Sequence, residues 1–312
     1  MEAVTVLGNS TTPGDITLPE CEPEVQKLRK LVSRFPSGRK TLFIYGPSCS
    51  SFLYIAKSIA KHTPAFEVHY VRTRHFLSKA SGKDVQNLIQ SLFNRNGDKK
   101  KLLFFFNIEV IYGSSLSRDE ITAAEIFKAQ FPRRVNDVKQ ATNNWLIVAC
   151  ASKEPWLIPD EVVDRFEEML YVGLPSMTER VRLFQSYVAE KPSLLANKNY
   201  VQLARMTEEY TYSEIGNVIE EAHLGPFKRI ESATHFRKVQ GFWEPCTAAA
   251  QGAVELAWHT LEPSAVREPL RYEDVLEGFV KVERKRTDKH FQSYREFEEK
   301  HVRPQSPKEL SA

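Results

Sequence analysis

Two stretches of this chain are apolar without interruption, Leu102–Phe106 and Trp145–Ala151. A strand with one wet face alternates apolar and polar residues, whereas a short unbroken apolar run reads as a strand covered on both faces. Shorter strand patterns stand at Thr41–Tyr45 and Phe66–Val71, and helical patterns at Lys83–Asn94 and Ile121–Phe131 fall between the strands. Doubly covered strands alternating with helices predict an α/β domain built on a doubly wound parallel sheet, with Tyr171–Pro175 closing it. Downstream the pattern changes. Thr178–Val188, Tyr200–Arg205, Ser213–Ala222, Tyr272–Val282 and Lys289–His301 are helical, and Ala253–Leu261 is a strand candidate. The expected organisation is a flexible tail over 1–20, then a large α/β domain over 21–175 that opens with a helix at Glu24–Phe35. A small helical domain over 176–301 carries a β insertion at about 240–270 and the C-terminal helix, and 302–312 is a tail.

The turn after the first strand carries the chemistry to be weighed. Residues 42–57 give an apolar strand, Gly46 and Pro47, then Ser48, Cys49, Ser50 and Ser51, then a helix opening at Phe52. That is the frame of a phosphate-binding loop. Such a loop works because glycines let backbone N–H groups converge on phosphate oxygens while a lysine neutralises them. Here Phe52 and Leu53 stand where the lysine and the magnesium-binding hydroxyl belong. Phe52, Ile55, Ala56 and Ile59 share one helix face, which turns Phe52 inward. Each charge-assisted phosphate contact is worth about 1.5–3 kcal/mol, so losing two removes about 3–6 kcal/mol of the roughly 8 kcal/mol behind micromolar binding. The frame persists as a join between strand and helix.

Ala151–Phe166, reading Ala-Ser-Lys-Glu-Pro-Trp-Leu-Ile-Pro-Asp-Glu-Val-Val-Asp-Arg-Phe, followed by Tyr171-Val-Gly-Leu-Pro175, resembles the AAA+ ATPase module. Ser232-Ala-Thr-His-Phe-Arg-Lys-Val239, Pro245-Cys246 and Gly252-Ala-Val-Glu-Leu-Ala-Trp258 are similar to segments of its ESCRT-III-disassembling, vacuolar protein-sorting branch, in the clade of katanin and spastin. The resemblance covers roughly 20–301 and implies an AAA+ large domain with a small helical domain bearing a β insertion. The microtubule-interacting domain usual upstream in that branch has no room in these 312 residues.

Carried onto this sequence, the family's chemical positions are altered one after another. Asn107 and Ile108 follow Phe106 where an Asp-Glu pair binds magnesium and activates water, and isoleucine is no base. Glu109, taken as a strand residue facing away from Ile108, is expected to be solvated or salt-bridged. The water-positioning asparagine aligns with Lys153, and the run of three arginines that acts on a neighbouring subunit reduces to Arg165. Glu214-Ile215-Gly216 replaces the Gly-Ala-Asp that lies against nucleotide. The pore motif Lys-Trp-Leu-Gly becomes Lys79, Ala80, Ser81 and Gly82, without the aromatic that grips a threaded chain.

Other features point to little further chemistry. The net charge of +3 is spread along the chain and argues for neither nucleic acid nor an anionic membrane, and no apolar run reaches the length of a membrane span. Cys21, Cys49, Cys150 and Cys246 lack metal-ligand spacing and read as reduced cytoplasmic thiols. His62, His69 and His75 show no ligand spacing, and Lys99, Lys100 and Lys101 read as a solvated strand entrance. The sequence predicts a pseudo-ATPase: no catalytic residue, no metal, no required cofactor. Its expected partners are an active AAA+ paralogue, ESCRT-III-like proteins or cytoskeletal assemblies. Weak binding of ATP and magnesium in vacuolar sorting or membrane remodelling is the alternative.

Overall fold

The computed structural model describes residues 4–7, 40–47, 52, 56, 57, 60, 65–79, 82–95, 98–142, 145–189, 191–282 and 288–302. The expected helix at Glu24–Phe35 and residues 48–51 of the turn lie outside them. The chain divides into two compact units, one comprising residues 1–15, 21–173 and 286–312 and the other residues 16–20 and 174–285.

The first unit contains strands β1 (Val4–Leu7), β2 (Thr41–Tyr45), β3 (Phe66–Arg72), β4 (Lys100–Phe106), β5 (Leu146–Ser152) and β6 (Glu168–Tyr171). Its helices are α1 (Thr73–Lys79), α2 (Gly82–Phe93), α3 (Arg118–Gln140) and the short α4 (Asp160–Val163). The strands form one sheet in the order β1-β3-β4-β5-β2-β6. Five of them are parallel, and β1 adds an antiparallel edge, Val4 opposite Val71 through Leu7 opposite Val68. That edge strand corrects the expectation that 1–20 is a flexible tail.

Every residue of β2 and β5 is buried, as unbroken apolar strands require. On β4, Phe105 faces α2 and α3, stacking with Phe93 and meeting Phe127 and Phe131 edge-on. Phe104 and Phe106 face the other way, against Tyr70 of β3. Two buried lysines close helix ends within this unit: Lys101 donates to the carbonyls of Leu92 and Asn94 at 3.3 and 2.9 Å, and Lys40 to that of Ala141. Lys101 is therefore no solvated entrance residue. Ser117 and Glu120 form a reciprocal capping box at the start of α3.

The second unit holds helices α5 (Met177–Val188), α6 (Asn197–Met206), α7 (Tyr212–Ala222), α8 (Leu224–Ser232) and α9 (Tyr272–Lys281). It also holds a three-stranded sheet in the order β8-β7-β9, from β7 (His235–Val239), β8 (Phe242–Cys246) and β9 (Val254–Glu255). The β7–β8 turn places Gln240 at φ +50° and Gly241 at φ +91°, the two left-handed residues that suit the twist of a tight hairpin. The insertion thus begins at His235, earlier than expected. Of the expected strand at Ala253–Leu261 only Val254 and Glu255 pair, after which the chain turns at Trp258–Thr260. Arg229 on α8 joins this unit's pieces, donating to Glu268, to both carboxylate oxygens of Asp274 and to Pro269 O.

The C-terminal helix α10 (Asp288–His301), expected in the small domain, belongs to the first unit. Phe297 packs on Phe43 and Tyr45 of β2, and Trp156 meets Tyr294 edge-on. Apolar anchors decide where a terminal helix docks, and here they lie on the parallel sheet.

Candidate functional site at the carboxyl ends of the strands

Ligands of open parallel sheets bind in the crevice beyond the carboxyl ends of the strands. In this unit those ends are Tyr45, Arg72, Phe106, Ser152 and Tyr171.

Gly46 leaves β2 at φ +150°, and a β-carbon there would lie 1.9 Å from the carbonyl oxygen of Val172. Its N–H donates to Ser152 O at 3.2 Å, while Val172 N–H donates to Tyr45 O at 2.8 Å. Only glycine fits so close to a neighbouring strand. Pro47 follows it in a bend, buried. Gly46 thus has a packing reason to be present that involves no phosphate.

Phe52 is on a helix, wholly buried, with Ala56 and Ala60 buried beneath it. Its ring meets Phe106 edge-on at 6.3 Å, and Phe106 in turn lies 5.5 Å from Tyr70. The head of this helix therefore faces an aromatic stack at the end of β4. Sequence reasoning missed Phe106, whose part at the site comes from its contact with Phe52. The period-2 partition of Phe104, Phe105 and Phe106 was the available signal.

Beyond Phe106 the backbone turns sharply. Asn107 adopts a left-handed conformation, φ 56° and ψ 55°, and Ile108–Tyr112 form a 3₁₀ turn rather than more strand. Ile108 is buried in the core. Glu109 is only 5% exposed, and its Oε1 accepts from Lys153 N–H at 3.4 Å. This corrects the expectation of a solvated or salt-bridged glutamate. Burial, opposed by its hydrogen bonds, raises the Glu109 pKa above the ordinary carboxylate value.

The buried oxygens Thr73 Oγ1, Asn107 Oδ1, Glu109 Oε2 and Ser152 Oγ have no hydrogen-bond partner among the described residues. Strand register sets Arg72 beside Phe106 and Phe106 beside Ala151. Thr73, Asn107 and Ser152 therefore stand at or just past the ends of three neighbouring strands.

The other predicted positions are dispersed. Lys153 is exposed, and its carbonyl accepts from Tyr294 Oη–H. Arg165 follows α4 half-buried, with Nε buried and unpartnered among the described residues. Lys79 ends α1 and Gly82 begins α2, with Ala80 and Ser81 outside the described residues. In the second unit Glu214 is buried in a capping box with Thr211, and Gly216 packs against the Tyr187 hydroxyl.

A glycine turn between parallel strand and helix, on a sheet of this order, defines a domain class. Residues 42–174 match the model of the ATPase family associated with various cellular activities, and the chain carries an AAA domain. Its homologues are vacuolar protein sorting-associated proteins. Protein 4 of Dictyostelium discoideum is 27% identical over 241 residues, covering 74% of this chain and 54% of the relative. Protein 4A of Homo sapiens is 26% identical over 257 residues, covering 76% and 58%. The chain thus spans a little over half the length of these relatives. Among solved structures, the FIGL-1 AAA domain in complex with ADP aligns with a TM-score of 0.70 at 17% identity, covering 96% of this chain and 94% of that one. A katanin structure aligns at 0.64 and 16% identity, covering 95% and 93%. These two share the fold.

Proposed function

We propose that this chain is a pseudo-ATPase, an AAA domain that acts as a scaffold or regulatory subunit and needs no nucleotide to fold. The observation that carries this reading is the edge-on contact of buried Phe52 with half-buried Phe106. A nucleoside triphosphate needs a cation at the head of that helix, and its magnesium needs an oxygen ligand at the end of β4. Two aromatic rings supply neither, and they fill the space by packing on each other. Ile108 supplies no base, being part of the core.

Weak binding of Mg–ATP is the second reading, and the unpartnered oxygens of Thr73, Asn107, Glu109 and Ser152 favour it, since buried polar atoms ordinarily have partners. Titration calorimetry separates the two. The scaffold reading expects no Mg–ATP binding tighter than about 100 µM, and a tighter isotherm overturns it. The partners this reading proposes, in the cytoplasm, are an active AAA+ paralogue or ESCRT-III-like assemblies. Among the described residues no helix is long and apolar enough to cross a membrane. Affinity purification with and without nucleotide tests the partner: stoichiometric recovery of an active paralogue supports the ring-subunit form.

A further inference from the structure

The sheet of the second unit lines up a thiol, an imidazole and a carboxylate. His235 on β7 is directly opposite Cys246 on β8 and directly opposite Glu255 on β9. Residues paired in this way share a face, with β-carbons about 4.5–5.5 Å apart. Phe236, fully buried, fixes the inner face, so the row Cys246–His235–Glu255 lies on the opposite one. His235 and Cys246 are half-buried there and Glu255 is exposed.

His235 Nδ1 is 2.9 Å from Thr234 Oγ1. In the tautomer whose Nδ1–H donates to that oxygen, Nε2 is the ring nitrogen left to take a proton. Glu255 is its register partner on the other neighbouring strand. The other described cysteine, Cys150, is wholly buried in the first unit, where burial pushes its thiol up.

We propose that Cys246 is a modification site, a thiol that exchanges with low-molecular-weight disulfides using His235 as its base. The thiol proton passes to His235 Nε2, and the thiolate attacks one sulfur of the disulfide. A new S–S bond forms to Cys246 as the old one breaks, and the departing thiolate takes the proton from the imidazolium. The disulfide is the only oxidant.

The test uses the full chain carrying Cys21→Ser and Cys49→Ser, with an aromatic disulfide whose released thiolate is coloured. One label per chain is expected, placed on Cys246 by peptide mass mapping. His235→Ala and His235→Gln should each slow labelling about tenfold or more near neutral pH, because the thiolate is the reacting species. The three rates should converge at about pH 10, where a thiol ionises unaided. Labelling of Cys150 ahead of Cys246 overturns the proposal, as does an unchanged neutral rate in either variant. A gap that persists at about pH 10 also overturns it, since it would report altered access and not a lost base.

Discussion

Replacing Phe52 with lysine puts back the residue type that a phosphate-binding loop uses, at a position this fold has given over to packing. Phe52 is 0% exposed and meets Phe106 edge-on. Truncating a buried phenylalanine costs about 3–5 kcal/mol, and the aromatic contact adds about 0.5–1.5 kcal/mol. Lysine keeps some of the apolar volume but brings an ammonium into a buried site against Phe106, a desolvation of several kcal/mol when no anion compensates. Phe52→Lys should therefore destabilise the first unit by about 3–5 kcal/mol. At about 2–4 °C per kcal/mol for a body of this size, its melting midpoint falls by about 6–20 °C.

Differential scanning fluorimetry with and without Mg–ATP reads both halves of the reasoning. A ligand at about 5 mM with a dissociation constant of about 100 µM stabilises by about 2.3 kcal/mol, several degrees on the same scale. Neither wild type nor Phe52→Lys should shift, since the hydroxyl, the metal ligand and the base are still lacking. A loss below about 1 kcal/mol in the variant refutes the packing role, which rests on burial and should register on the scale of core truncations. A nucleotide-dependent rise of several degrees in wild type refutes the plug.

Glu109 has a folded-state pKa above its unfolded value, so the folded chain holds a proton that the unfolded chain releases, and stability is lost as pH rises from the ordinary carboxylate range toward the raised value. Glu109→Gln should flatten that segment of the stability–pH curve and stabilise the first unit at neutral pH, read by urea unfolding across pH; an unchanged pH dependence counts against it. In the second unit Arg229→Ala leaves Asp274 and Glu268, both 5% exposed in their side chains, without their main cation, and should cost about 3–5 kcal/mol. Adding Asp274→Ala should recover part of that loss in a double-mutant cycle, and strict additivity would show that the pair is not coupled.

The sheet was legible wherever burial saturates a strand. The expected Thr41–Tyr45 is β2 itself, and the two unbroken runs became β4 and β5 within two residues. Strands paired by distant or charged residues were not legible. β1 depends on a partner more than sixty residues away, and the β7–β8 hairpin carries Arg237, Lys238, Glu244 and Pro245 with a Gln-Gly turn in place of a stronger turn signal. The third helix was expected to stop at Phe131, ahead of Pro132. It continues to Gln140 because Phe131, Val135 and Val138 extend the buried stripe, which outweighs the proline. At the site, the inward turn of Phe52 came from helical spacing. Glu109 was misplaced because strand alternation was carried past Asn107, where a left-handed residue ends the strand.

The chain's own last helix ties down the ends of β2 and β5. Tyr45, the final residue of β2, donates to Glu298 at 3.0 Å, and Tyr294 donates to the backbone of Lys153 just past β5. Burial of Tyr294 and Phe297 contributes about 1.5–3 kcal/mol each, and neither contribution depends on phosphate or metal. The same helix ends at α4 and the residue after it: His301 sets Nε2 3.0 Å from Asp160 Oδ1 and Nδ1 3.0 Å from Asp164 Oδ1, and Lys300 also reaches Asp160. Asp164 directly precedes Arg165, in the segment where the family resemblance places arginines that act on a neighbouring subunit. Here that segment presents carboxylates already satisfied within the chain. A partner that docks on this edge meets Asp160 and Asp164 already paired with Lys300 and His301 of α10, through exposed ion pairs that contribute little on their own.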